Sequence, residues 1–159
     1  MRCADLRFLP AAAADIPAIF DIRTTVRENA ISLERLAEVG ITPASVLASL
    51  GNTRRGWVME NAERKVVAFV MIELEQRNVL GLFTRPGWEN RGCGTTLLRA
   101  ATDCLFELGA QTIWLTTGGD SPAADFYRHR GWRAVDGPTA SELRFEYHRE
   151  QWLADRPRV

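Results

Sequence analysis

The stretch RPGWENRGCGTTLL, residues 85–98, joins a predicted β-strand to a predicted helix and limits the folds that the chain can adopt. Glycines let backbone N–H groups approach an anion, and the start of the following helix adds about half a positive charge. A dinucleotide fingerprint needs a third glycine where this chain has Leu97, and a Walker P-loop needs a lysine after Gly94, where it has Thr95. The loop is therefore an anion site of another kind or an ordinary turn.

The segments around this loop predict one mixed α/β domain over residues 1–159. Strands are predicted at DLRFLP, GWVMEN, KVVAFVMIELE, NVLGLFT, TIWLTT, WRAV and ELRFEY. Helices are predicted at IPAIFDIRTTV, SLERLAEVG, TPASVLASLG and SPAADFYRHRG, with Asp15, Ser32, Thr42 and Ser121 as N-caps. The tail from His148 to Val159 is either a short helix or disordered.

Two helices carry a clear pattern of side chains. In the first helix, Ile16, Ile19, Phe20 and Arg23 fall at helical spacing. The helix after the glycine loop has an apolar stripe that Gly109 can end. That stripe consists of Leu97, Leu98, Ala101, Cys104, Leu105 and Leu108.

The strand, loop and long helix together resemble the GNAT superfamily of acetyl-CoA-dependent N-acetyltransferases. In that family the loop reads Gln/Arg-x-x-Gly-x-Gly/Ala, and its backbone amides hold the pyrophosphate of coenzyme A. Gly92 and Gly94 match the two glycines, whereas Glu89 stands where the family usually has Gln or Arg. We therefore expect the Glu89 side chain to face away from the anion, and Arg91 to supply the cationic contact.

A second segment strengthens the resemblance. SPAADFYRHRGW, residues 121–132, is similar to the family's later helix, which carries Ala-x-x-Phe-Tyr and ends at Gly-Phe or Gly-Trp. The family often has an asparagine at the start of this helix, and this chain has none there. The two motifs lie about thirty residues apart in the family's order, and the likeness extends from about Asp5 to Tyr147.

The resemblance implies a mostly antiparallel sheet, splayed between strands 4 and 5, with helices around it. The acyl-CoA would lie in the opening, and Gly81 would mark a bulge in strand 4 or a simple irregularity. The backbone of strand 4 would pair with pantetheine, and one of its amides would polarise the thioester carbonyl. The implied coenzyme A contacts are Leu82, Phe83, Thr84, Arg91, Gly92, Cys93, Gly94, Thr95, Ala124, Phe126 and Tyr127.

The implied reaction is direct attack of an amine on the thioester. An alkyl amine with a pKa of about 10.4 must lose a proton first, so a base or a water chain is needed. The strand before the loop carries no carboxylate, which leaves Glu28, Glu73 and Glu75, and Glu28 is preferred because it lies near the expected wall of the acceptor pocket. Tyr127 would hydrogen-bond the departing thiolate, or else is a core aromatic residue.

Composition restricts the expected cellular location and the expected binding partners. Twenty basic and twenty acidic side chains balance, which disfavours nucleic acid and membrane surfaces. Three scattered cysteines and two histidines predict no disulfide framework and no metal site, and favour a reducing, cytoplasmic location. Cys104 is expected to be buried and inert, and Cys93 to be a small filler between the glycines.

The functional prediction is transfer of an acetyl group to an amine of a small molecule or peptide. Two alternatives stay open, a non-catalytic acyl-CoA-binding module, suggested by Glu89 and the missing strand carboxylate, and an interaction domain without cofactor. A homodimer is also expected, because an exposed final strand ELRFEY would need cover.

Overall fold

The computed structural model describes residues 6–26, 31–119, 121–139 and 141–156. These ranges hold seven strands and six α-helices, with three of the helices between the first and second strands. The strands are β1 (Arg7–Pro10), β2 (Arg54–Glu60), β3 (Val66–Glu73), β4 (Asn78–Thr84), β5 (Thr112–Gly118), β6 (Arg133–Asp136) and β7 (Glu142–His148). The helices are α1 (Ile16–Thr25), α2 (Leu33–Glu38), α3 (Pro43–Ser49), α4 (Cys93–Glu107), α5 (Pro122–His129) and α6 (Arg149–Asp155).

The strands form one sheet in the order β1-β2-β3-β4-β5-β7-β6. Every neighbouring pair is antiparallel except β4 and β5, which are parallel. This pair has a single register match, Asn78 with Trp114, so the two strands separate beyond it. The mixed α/β class and the splay between strands 4 and 5, both expected from the sequence, are confirmed.

A bulge bends β4 at the point where it leaves β5. Met71 of β3 faces Gly81, but the next residue of β3, Ile72, faces Val79, so Leu80 is the extra residue. A Cβ atom on Gly81 would lie 3.1 Å from the Phe83 ring, closer than a well-packed contact allows. The absence of a side chain at Gly81 therefore lets Phe83 lie over its own strand.

Helices cover the two faces of the sheet and divide the apolar core in two. On one face α4 buries Leu97, Leu105 and Phe106, each with no exposed surface. On the other face α1 and α3 pack Phe20 and Val46 against the sheet. β3 lies between the two clusters and is buried along almost its whole length, as its apolar sequence predicts.

Local signals set most of the helix ends. The side chains of Ser32, Thr42 and Ser121 accept hydrogen bonds from backbone amides of the helices that they cap, as predicted. Asp15 differs, because its carboxylate instead accepts a bond from the amide of Ala12, 2.8 Å away, and closes a short 3-10 turn before α1.

Three predictions from the sequence are wrong in detail. Cys104 is only partly buried and lies 3.6 Å from the Arg55 guanidinium, since it falls at the border of the α4 stripe. Leu108 is 46% exposed, because the helix ends before the stripe reaches it. ELRFEY forms β7, which lies between β5 and β6, so it is not an exposed edge.

The chain after β7 forms α6, so the tail is a short helix within the described residues. Trp152 of α6 stacks on Phe106 of α4, with ring centroids 5.0 Å apart. None of the helices in the described ranges is long and apolar enough to cross a membrane.

Leu105 and Leu108 provide a matched test of the α4 packing. Leu105→Ala should lower the free energy of unfolding by about 2–5 kcal/mol, because it leaves a cavity at a fully buried site. Leu108→Ala should change it by less than about 0.5 kcal/mol. Urea denaturation followed by circular dichroism measures both, and equal losses would contradict the observed end of the stripe.

Candidate functional site

A cleft opens where β4 and β5 separate. Its walls are β4 from Val79 to Phe83 and β5 from Leu115 to Gly118, with Ala123 and Tyr127 of α5 at one side. The cleft exists because the strands pair only at Asn78 and Trp114 and then diverge. It is the largest break in hydrogen bonding within the described sheet.

The backbone of β4 directs hydrogen-bonding groups into this cleft. The amide of Arg85 donates to the Val67 carbonyl of β3 at 2.7 Å. Antiparallel pairs alternate between bonded and non-bonded residues, so Phe83 also turns its amide towards β3, while Leu82 and Thr84 turn theirs to the opposite side. Leu82, Phe83 and Thr84 are predicted to contact a cofactor. Leu82 and Thr84 therefore present their amides to the cleft, and Phe83 presents its ring.

The glycine loop lies at the start of α4. Gly92 is the N-cap and has φ of 85°, a left-handed conformation that favours glycine. The amide of Thr96 is the first to bond within the helix, to the Gly92 carbonyl at 3.1 Å. The backbone amides that precede Thr96 lie in the first turn of α4, where the helix provides no carbonyl to accept their hydrogen bonds. Amides in this position can bind an anion.

The second glycine has a different role. A Cβ atom on Gly94 would lie 3.3 Å from the Phe126 ring, so this glycine lets α5 pack against the start of α4. Cys93 between the two glycines is only 2% exposed, and its side chain belongs to the core. The glycine loop of the first motif is therefore in contact with α5, the helix of the second motif.

The two charged side chains of the loop bind the loop itself. The carboxylate of Glu89 accepts a hydrogen bond from the Gly87 amide at 2.8 Å. The guanidinium of Arg91 donates to the Gly87 carbonyl at 3.1 Å and lies over the Trp88 ring, 4.6 Å from its centroid. Glu89 is exposed and Arg91 is half-buried.

Arg130 places another positive charge beside this helix start. Its guanidinium donates to the Thr95 hydroxyl and to the Phe126 carbonyl, and lies 3.6 Å from the centroid of the Phe126 ring. Burial lowers the pKa of Arg130, and the neighbouring Tyr127 opposes that shift, but arginine stays charged at neutral pH. Sequence reasoning missed Arg130, because it reaches Thr95 across 35 positions of the chain.

Tyr127 lines the cleft although little of it is exposed. Its ring packs among Phe126, Trp132 and Phe145, with centroids between 5.3 and 5.8 Å away. Burial raises the pKa of Tyr127 well above its usual range, and the nearby Arg130 opposes this only in part. The phenol is therefore protonated at neutral pH, and no residue of the described ranges hydrogen-bonds its hydroxyl.

The other residues of the second motif occupy different places. Ala124 is fully buried in the core, and it is the preceding residue, Ala123, that lines the cleft. Phe126 is half-buried between Gly94 and Arg130.

Of the predicted general bases, Glu73 and Glu75 do not line the cleft. Glu28 lies outside the described residues. Glu73 accepts a bond from the Gln76 amide at 2.6 Å in the turn between β3 and β4, and Glu75 lies in the same turn, at the end where β4 and β5 are still paired. Glu142, at the start of β7, is the carboxylate that lines the cleft in the described part of the chain.

Sequence reasoning gave no role to Glu142, since its place depends on the pairing of β7 with β5. Arg23 of α1 also lines the cleft, and its guanidinium lies 4.3 Å from the centroid of the Phe83 ring. The sequence did contain a signal for Arg23, because this arginine occupies a position that the helical spacing assigns to the apolar face of the first helix.

Comparison with known proteins gives a family match and many structural matches. A sequence model described as the acetyltransferase (GNAT) family matches residues 20–132. No curated protein sequence matches the chain.

Several solved structures are similar over nearly the whole chain. The PaiA N-acetyltransferase of Thermoplasma acidophilum, solved with coenzyme A, has a TM-score of 0.73 at 15% identity, over 90% of this chain and 98% of that one. A GNAT family acetyltransferase of Staphylococcus aureus has the same values. The spermidine N-acetyltransferase of Vibrio cholerae, solved with coenzyme A and spermine, has a TM-score of 0.65 at 19% identity, over 94% and 99% of the two chains. These likenesses show the fold.

Tyr127 and Tyr147 form a matched pair that tests whether the Tyr127 hydroxyl has a structural role. Tyr127→Phe should change the free energy of unfolding by less than about 0.5 kcal/mol, because its hydroxyl has no bond to lose within the described residues. Tyr147→Phe should cost about 1 kcal/mol, because the Tyr147 hydroxyl donates to Asp155. If thermal and urea unfolding show an equal loss for both, the Tyr127 hydroxyl serves the fold.

Proposed function

The chain belongs to the acetyltransferase (GNAT) family, and from this premise we propose that it transfers the acetyl group of acetyl-CoA to an amine of a small molecule or peptide. The observation that carries the proposal is the continuity of the cleft with the glycine loop. The open edge of β4 ends at Thr84, and the loop that follows leads directly to the start of α4. A long cofactor with a thioester at one end and a pyrophosphate further along suits this arrangement.

Coenzyme A would lie along β4 and reach the start of α4. The amides of Leu82 and Thr84 pair with pantetheine in the manner of an added strand, and one of them polarises the thioester carbonyl. The backbone of Gly92, Cys93, Gly94 and Thr95 holds the pyrophosphate. The side chains beside it are Arg91, Arg130 and Phe126, with Ala124 behind the cleft wall.

The reaction forms a nitrogen–carbon bond and breaks the carbon–sulfur bond of the thioester. The ammonium group loses one proton before the amine attacks the carbonyl carbon, and coenzyme A leaves as a thiolate. The nitrogen loses a second proton as the amide forms, and this proton passes to the thiolate or to solvent. Tyr127 donates a hydrogen bond to that thiolate, because a buried phenol holds its proton more strongly than a thiol does. The amine proton passes, directly or through water, to a carboxylate, for which we propose Glu28 from the sequence and Glu142 from the cleft.

The acceptor, the assembly and the location are also proposals. Structural neighbours include enzymes named for spermidine, which is a small amine, and the acceptor of this chain is proposed to be a small amine too. A homodimer would use an edge of the sheet, which is β1 or β6 in this fold. The reduced cysteines Cys93 and Cys104 suit a cytoplasmic enzyme.

Incubation with acetyl-CoA and a panel of amines, with release of free thiol as the readout, tests the proposed activity. Tyr127→Phe should lower kcat by about tenfold or more, the value of one hydrogen bond to a developing charge, with KM for acetyl-CoA changed by less than about threefold. The absence of turnover with every amine would overturn the proposal. An unchanged kcat in Tyr127→Phe would remove Tyr127 from the mechanism.

Gly92 and Gly40 provide a matched test of the cofactor loop. Both have φ above +80°, so alanine at either site costs about 1–2 kcal/mol of stability through backbone strain. Gly92→Ala should also weaken coenzyme A binding by about tenfold or more, whereas Gly40→Ala, at the end of α2, should leave the affinity unchanged. Calorimetric titration with coenzyme A measures this difference, and equal affinities would place the pyrophosphate elsewhere.

A further inference from the structure

Ring packing determines where the Tyr127 hydroxyl lies in the cleft. None of the described residues forms a hydrogen bond with this hydroxyl, so its place depends on how the ring is held. The rings around it belong to Phe126, Trp132 and Phe145. Phe126 is half-buried and also supports the guanidinium of Arg130, whereas Trp132 is only 4% exposed. Trp132 is therefore a fixed surface against which the Tyr127 ring packs.

The turn that ends α5 places Trp132 against Tyr127. Gly131 has φ of 85°, and its amide donates to the Arg128 carbonyl at 3.1 Å. The Trp132 amide donates to the Tyr127 carbonyl, also at 3.1 Å. These two bonds form a Schellman motif, in which a residue just past the helix contacts a side chain of its last turn. The Trp132 and Tyr127 ring centroids accordingly lie 5.5 Å apart.

β7 and α6 hold Trp132 in place. The indole stacks on the Tyr147 ring of β7, with centroids 5.2 Å apart and an interplanar angle of 19°. The Tyr147 hydroxyl donates to Asp155 of α6. The side-chain amide of Gln151, also in α6, donates to the Gly131 carbonyl at 2.6 Å. The indole and the turn before it are thus both fixed by elements that follow them in the chain.

Resting on the proposed function, in which Tyr127 bonds the departing thiolate, we propose that Trp132 is a positioning residue. It fixes the Tyr127 ring so that the hydroxyl reaches the sulfur, and β7 and α6 keep it there. Trp132 is not among the described residues that line the cleft, so its effect on the reaction passes through Tyr127. A displacement of about 1 Å at a reacting group can lower a rate by about a hundredfold.

A double-mutant cycle of Trp132→Leu and Tyr127→Phe, assayed by thiol release from acetyl-CoA, tests this inference. Trp132→Leu keeps the site apolar but removes the indole between the two tyrosines. It should lower kcat by about fivefold or more and change KM for acetyl-CoA by less than about threefold. In the Tyr127→Phe background it should lower kcat by less than about twofold, because no hydroxyl is left to position. Equal losses in the two backgrounds overturn the inference, since a structural role alone produces them.

Leu105→Ala is the matched control for lost stability. Leu105 belongs to the same core cluster as Trp132, is fully buried and lies near the far end of α4. At a temperature where both variants are folded, kcat of Leu105→Ala should stay within about twofold of the wild type. A loss of kcat equal to that of Trp132→Leu would show that a weakened core alone slows the reaction, and would overturn the inference.

A second variant covers the case in which Trp132→Leu does not fold, as judged by its melting curve. Trp132→Phe keeps a smaller ring at the site and should lower kcat by about threefold, again only while the Tyr127 hydroxyl is present. An unchanged kcat in this variant overturns the inference.

Failure of the inference and failure of the proposed function have different signatures. If the wild type turns over but Tyr127→Phe keeps its kcat, the inference fails and the activity stands. If the wild type releases no thiol with any amine, the proposed activity fails, and a crystal structure of the folded Trp132 variant decides the inference. A Tyr127 hydroxyl displaced by about 1 Å or more supports the positioning role, and an unmoved ring overturns it.

Discussion

The single register match between β4 and β5 is the constraint on which the rest of the structure depends. A parallel pair that continued would bury its amides in a ladder and close the sheet. Because pairing stops after Asn78 and Trp114, Leu82 and Thr84 keep amides directed into an open cleft. Ala123 and Tyr127 of α5 line one side of this cleft, and the glycine loop lies at the end of the exposed strand edge.

The bulge at Leu80 connects this cleft to the other face of the sheet. It redirects β4, and the missing side chain of Gly81 makes room for the Phe83 ring. That ring supports the guanidinium of Arg23 from α1. A backbone irregularity on one strand thus determines where a charge from a distant helix lies.

Arginines held on aromatic rings recur around the site. Arg23 lies over Phe83, Arg91 over Trp88 and Arg130 over Phe126. A ring holds a cation in place by its quadrupole and does not neutralise it, as a carboxylate would. The guanidinium groups of Arg91 and Arg130 therefore keep their positive charge close to the glycine loop.

The sequence by itself determined the order of strands and helices, the caps at Ser32, Thr42 and Ser121, and the two family motifs, because each depends on local spacing and backbone conformation. It could not place Glu142, Arg130 or the edge of the sheet, since these depend on which strands pair across long separations. It also misjudged Cys104 and Leu108, because helical periodicity gives the centre of an apolar stripe better than its border. Only the tertiary structure brought Arg23 to the cleft and Arg130 to the glycine loop, because contacts across tens of residues follow from packing and not from neighbouring sequence.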